Sequence, residues 1–173
     1  MTSTIEEIRK VRQSRAFTSE PVTQEQLRQF LDVAQWTGSS QNTQPWHFIV
    51  IQDKELLEKV SRVRGEMIRW AASAPLAIAL VITAKGEISG AFDEGRVTER
   101  LMIAARLLGL GAGTAWFGNT DQQAAAKELL GIPTDATARS MVVIGHPDPA
   151  AARRSSNGGR KPLSELVSYD RMG

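Results

Sequence analysis

The chain of 173 residues contains no cysteine, two histidines and one tyrosine. Without cysteine there is no disulfide, no thiolate metal site and no thiol nucleophile, a composition that also suits a reducing compartment. His47 and His146 lie far apart in sequence, so a His-rich metal site is not expected. The longest apolar stretch, Ala71 to Thr83, is broken by Ser73 and Pro75 and falls short of the roughly 18 residues of a membrane span. The opening Met-Thr-Ser-Thr-Ile-Glu-Glu has acids where an export signal needs a basic start and an apolar run. A soluble, cytoplasmic protein is therefore expected. There is no Gly-Lys-Ser/Thr phosphate loop and no His-Glu-x-x-His pair, which leaves nucleotide and zinc-dependent hydrolysis without support. Gly109-x-Gly111-x-Gly113 follows a helical pattern, whereas a dinucleotide fingerprint follows a strand. With 21 basic and 19 acidic residues interleaved, and one local basic excess from Arg153 to Lys161, nucleic acid is not implied as a partner.

What is present is an ordinary globular composition, 42% hydrophobic and 23% charged, of a size that buries a core within one domain. Thr4 and Glu7 have capping-box spacing ahead of Ile5, Ile8 and Val11, which predicts a first helix running towards Arg12. Thr23 and Gln26 form a second box, with Val22 and Leu27 as a hydrophobic staple. Thr37 to Pro45 reads as a loop and Trp46 to Ile51 as a strand. Asp53 caps a helix carrying Leu56, Leu57, Val60 and Val63, and Leu76 to Thr83 reads as a strand covered on both faces. Phe92 to Leu108 predicts a buried helix ending at Gly109, and Gly113 to Phe117 a short strand. Thr120 and Gln123 cap a further helix closed by Gly131, and Met141 to Ile144 gives a fourth strand. The expectation is a single α+β domain over 1–173 of three-layer α/β type, a mixed sheet of four to five strands flanked by helices, with a tail from about residue 148.

Three segments carry the chemistry: Arg12-Gln-Ser-Arg15 with its following Phe17, Gly38-Ser-Ser-Gln-Asn-Thr-Gln-Pro-Trp46, and Gly158-Gly-Arg-Lys-Pro162. In this order, with Pro21-Val22, Gly109-Leu-Gly111, Leu130-Gly-Ile-Pro133 and a Gly at 145, the chain resembles the nitroreductase family over nearly its whole length. The run from Ser39 to Phe48 matches that family's Ser-x-x-Asn-x-Gln-Pro-Trp-x-Phe without gaps.

The resemblance implies FMN as cofactor and NAD(P)H as electron donor. It further implies a homodimer with flavin at the subunit interface and the tail reaching the partner subunit. Guanidinium forks suit a dianionic phosphate, and Arg12, Gln13, Ser14 and Arg15 in the first turn with Arg160 and Lys161 in the tail are the implied phosphate-end residues. The first turn registers either as Arg12 with Ser14 or as Arg12 with Arg15. Gly38, Ser39, Ser40 and Asn42 are implied at the flavin of the partner, with Gln44 and Pro45 fixing the loop's exit. Backbone of Trp116, Phe117 and Gly118 is implied beside the flavin N5, with Phe117 or Trp116 walling the ring, against the plainer reading of both as core. Trp36 and Trp46 are expected in the core or at the dimer interface, and His47 as a hydrogen-bonded structural residue.

No side chain is expected to be catalytic, because the flavin carries the chemistry. The implied reaction is a two-step exchange in which NAD(P)H reduces the flavin and a small organic acceptor, a nitroaromatic, a quinone or similar, reoxidises it. The alternatives are a flavin store or sensor without turnover, and a dehalogenase or flavin-degrading relative on the same fold. Between Lys85 and Phe92 there is little room for the extra segment of larger relatives, so an open site is expected.

Overall fold

In the computed structural model, which describes residues 3–83, 86–151 and 159–172, the apolar segment Leu76–Ile82 is a central strand with every residue buried. It is β2 in a four-stranded sheet ordered β1-β2-β4-β3, with β1 Trp46–Ile51, β3 Gly111–Trp116 and β4 Thr137–Gly145. All three pairings are antiparallel, where a mixed sheet was expected. The one parallel pairing among the described residues is an isolated bridge of Gln13 to Ala112.

Side-chain alternation along β2 divides the interior. Ala77, Ala79 and Val81 face one core with Leu57 and Val60 of α3 (Lys54–Val60) and Ala126 of α5 (Thr120–Leu130). Leu76, Ile78 and Leu80 face a second core with Phe30 of α2 (Gln24–Gln35) and Val97 and Leu101 of α4 (Glu87–Leu107). Strands with both faces covered read as continuous apolar runs, as this one does. The result is the expected three layers, helices on each side of the sheet.

The Thr23–Gln26 box caps α2 reciprocally, Val22 and Leu27 lie in one core cluster, and Asp53 caps α3. Two other caps are displaced by one residue. Ser3, not Thr4, caps α1 (Thr4–Arg9), which stops short of Arg12. Asn119 with Gln122, not Thr120 with Gln123, caps α5. Gly131 closes α5 at φ 65°, the left-handed position glycine favours. Helix α4 starts at Glu87, five residues before the expected Phe92, because Gly90 is buried in it and tertiary packing outweighs glycine's poor helix propensity.

Candidate functional site

The basic turn lies along the outer edge of β3. Ser14 N–H donates to Ala112 O at 2.8 Å, and Gln13 Oε1 accepts from Thr114 N at 3.2 Å. Gly111 and Gly113 permit this approach, since a Cβ at either would collide with Ser14. Arg12 turns back and donates to Arg9 O at 2.8 Å, the last carbonyl of α1, and to Val11 O at 2.6 Å just beyond the helix. Arg15 stands over the Trp70 ring, 5.9 Å from its centroid. A cleft of about 120 Å³ opens between Lys10, Arg12, Ser14, Arg106 and Gly111. Two of its cations are already engaged: Arg106 pairs with Glu7 at 2.7 Å and Lys10 with Glu7 at 3.3 Å. The Arg106 hydrogen bond holds the Glu7 carboxyl below the usual range, opposed by desolvation and assisted by Lys10. Arg12, which has no carboxylate partner among the described residues, is left as the cation of this cleft.

Beyond Trp116 the same strand edge turns into α5. Phe117 is fully buried in the core beneath α5, so its side chain does not wall a ligand, and its N–H is held by Arg139 O at 2.8 Å. Trp116 is 49% exposed. Asn119 N–H closes onto Gln122, which leaves Gly118 N–H as the amide of this turn without an acceptor among the described residues. Gly118 has φ 110°, and a Cβ there would collide with the Gln122 side chain. Gly118→Ala is expected to cost about 1–3 kcal/mol through backbone strain and loss of the α5 cap, read as a lower urea midpoint. An unchanged midpoint would show that the turn relaxes freely.

Two features of this turn have no local sequence signal. Arg64 stacks on Trp116, 4.4 Å from the ring centroid, across 52 positions. Behind it, the buried Glu94 of α4 accepts from Ser140 Oγ and from Arg139 Nη1, the latter at 3.1 Å. Only the chain's return through α4 and β4 brings these groups together.

The Gly38–Asn42 segment lies elsewhere. It feeds β1, the opposite edge of the sheet, three strand spacings or about 14 Å from β3. In one subunit, therefore, it does not converge with the basic turn. Gln41, Asn42 and Gln44 all have positive φ, 51°, 54° and 47°, a concentration of left-handed non-glycine residues that marks strained, specified backbone. Ser39 Oγ accepts from Gln44 N at 2.8 Å, and the buried Pro45 accepts from Thr83 N, so these residues do set the loop's exit. Ser40 and Asn42 are exposed. Gly38 O accepts from Arg96 at 3.3 Å beside a cleft of about 700 Å³ under Phe92. Near it, among the described residues, Thr37 Oγ1 and Asp93 Oδ2 are buried without partners. Trp36 is 75% exposed, outside the core. Trp46 is half-buried against the α2–α4 side, and His47 is exposed without a hydrogen bond among the described residues, contrary to the structural role expected.

Arg160 and Lys161 are exposed. Gly158 and residues 153–157 of the basic stretch lie outside the described residues. From 159 to 172 every residue is exposed, including Leu163, Leu166 and Tyr169, and the hydrogen bonds of this segment are internal to it. Among the described residues nothing ties Arg160 or Lys161 to the Arg12–Arg15 turn.

Comparison with known proteins agrees with this architecture. A model of the nitroreductase family matches residues 8–69. A provisionally named NADH dehydrogenase/NAD(P)H nitroreductase of Archaeoglobus fulgidus is 33% identical over 147 residues, 79% of this chain and 80% of that protein. An FMN reductase (NAD(P)H) of Bacillus subtilis is 32% identical over 177 residues, 89% of this chain and 70% of its own. The chain belongs to the nitroreductase family. An FMN-dependent nitroreductase from Clostridium difficile R20291 superposes with a TM-score of 0.86 over 97% of this chain and 99% of its own, and at 23% identity it establishes the shared fold. Among the described residues no acidic or histidine cluster is arranged to hold a metal, and no helix is long and apolar enough to cross a membrane.

Proposed function

We propose that the chain is an NAD(P)H-dependent FMN oxidoreductase whose cofactor lies along the β3 edge. The observation that carries this is the strip formed by β3, the basic turn along it and the turn after it, where among the described residues Arg12 has no carboxylate partner and Gly118 N–H has no acceptor. The donor set fits the group. Arg12, Ser14 and Arg15 supply cations and a hydroxyl for a phosphate, Gly118 N–H supplies a donor for a ring nitrogen, and Gln13 holds the turn against β3. When bound, FMN takes reducing equivalents from NAD(P)H and passes them to a small organic acceptor. The protein's part is to fix the ring against the Gly118 amide and to neutralise the phosphate.

A homodimer completes the site. Ile88 and Phe92 of α4 and Trp36 are 76%, 68% and 75% exposed, an apolar surface that a monomer would leave in water. A second subunit brings its Gly38–Asn42 loop, Arg160 and Lys161 towards the β3 edge. Sedimentation at micromolar concentration should give a dimer, and a monomer that still retains flavin would refute the arrangement.

The purified protein should show oxidised-flavin absorption that NADH or NADPH bleaches anaerobically and an acceptor restores. Bound flavin that resists bleaching would make the protein a store. Because donor and acceptor take turns at one site, double-reciprocal plots should be parallel. Intersecting plots would require both substrates to be bound together.

A further inference from the structure

We infer that Arg64 is the anion-recognising residue of this site, taking a carboxylate or phosphate oxygen carried by the molecule that reacts there. The inference rests on the FMN-site reading above and goes beyond it by naming the charge class of the substrate.

The neighbouring charges define Arg64 by exclusion. Glu58 is engaged by Arg62, and Glu66 by Arg69. Among the described residues, no carboxylate lies within ion-pairing distance of Arg64, although the side chain is half-buried. Its position is nonetheless fixed. The guanidinium lies over the Trp116 ring at 4.4 Å, and Nη1 reaches Trp116 O at 3.5 Å. Its Cδ lies 3.1 Å from the point a Cβ on Gly118 would occupy. A stacked guanidinium keeps its in-plane N–H groups for other acceptors, and a fork of this kind matches an oxyanion in bidentate fashion. Stacking also lowers the entropy lost when the anion docks, because the side chain is held before the ligand arrives. The Arg64 stem packs beside Gly118, whose N–H the turn leaves open, and its guanidinium beside Trp116, so a reactant placed at this turn has Arg64 at its rim.

Two sources of the anion are possible within one chemistry: the acceptor, through a carboxylate, or the nicotinamide donor, through its phosphates. Arg64→Gln keeps most of the side chain's length and removes the charge. FMN-loaded wild type and variant would be compared with 4-nitrobenzoate against its methyl ester as acceptors. The donor arm would compare NADH and NADPH against the phosphate-free 1-benzyl-1,4-dihydronicotinamide. The expected result is a loss of about ten- to a hundredfold in kcat/KM for the charged members of one arm, with the uncharged members within about threefold. The arm affected identifies the source. Tryptophan-fluorescence quenching by 4-nitrobenzoate and its ester, and by NADP⁺, gives the same discrimination as dissociation constants, in flavin-free protein as well. If the wild type takes up no FMN, the site reading fails, and quenching alone decides Arg64. A preference for the charged ligand that Arg64→Gln abolishes upholds the inference. Equal losses for charged and uncharged ligands, or no loss for either, overturn it.

Discussion

Replacing Arg160 by alanine is expected to raise the FMN dissociation constant by about one to two powers of ten while leaving that of riboflavin nearly unchanged. The two flavins differ by the phosphate, so the comparison isolates the group that Arg160 would contact. Within its own subunit Arg160 is exposed and makes no hydrogen bond or ion pair among the described residues, and a side chain so placed contributes little to folding. The lost affinity would therefore report a charge-assisted bond to the ligand, worth about 1.5–3 kcal/mol. Arg12→Ala and Arg15→Ala resolve the register of the first turn in the same assay. Arg12 borders the small cleft beside Ser14, while Arg15 stands over Trp70, so Arg12 should show the larger FMN-specific loss. Equal losses for FMN and riboflavin on removing Arg160 would assign it to the proposed dimer contact instead of the phosphate.

Glu94→Gln should lower stability by about 3 kcal/mol, the lower end for breaking a buried pair, and the melting temperature by roughly 6–12 °C for a chain of this size. The Glu94 carboxylate is 9% exposed and anchors both Arg139 and Ser140. Glutamine keeps the volume but withdraws the charge and turns an N–H towards donors. Among the described residues Arg139 retains only Glu87 at 3.9 Å as an ion partner, which is why the lower end is expected. The damage should reach the site, because Ser140 pairs with Trp116 and Arg139 O holds the Phe117 amide. Glu58→Gln, which disturbs only the exposed Arg62 pair, should cost less than about 1 kcal/mol. A similar small change at Glu94 would mean that the network is dispensable.

The strands and layers were legible because burial leaves its period in the sequence. β2 is apolar throughout and lies between two helical layers. The displaced caps have a specific cause: Ser3 and Thr4 each precede a glutamate by three residues, and Asn119 and Thr120 each precede a glutamine by three. The box pattern is degenerate at both places, and only backbone geometry selects the earlier residue. Alternation along β3 could have placed Phe117, two residues after the buried Ala115, in the core instead of beside a ligand. The start of α4 was hidden by Gly86 and Gly90, since local propensity does not register packing. Arg64 was invisible for another reason. Its partner lies 52 positions away, and nothing in the Arg62–Arg64 segment marks one arginine as different until the other acids are seen to be taken.

The Arg12–Arg15 turn has a second consequence. A sheet that ends in an uncovered strand offers its unpaired amides as a template for another molecule's strand, and proteins guard such borders against aggregation. Here β3 is a border strand, and the ligand-facing turn guards it: Ser14 N–H occupies Ala112 O, and the Gln13 side chain occupies the Thr114 amide. Altering cofactor affinity through Gln13 would therefore also unseal the border at Thr114, so such variants would tend to be lost to precipitation whatever their catalytic merit, whereas Ser14 holds the border through its backbone, and Arg12 and Arg15 make no contact with the border amides, so these side chains can be varied without that liability.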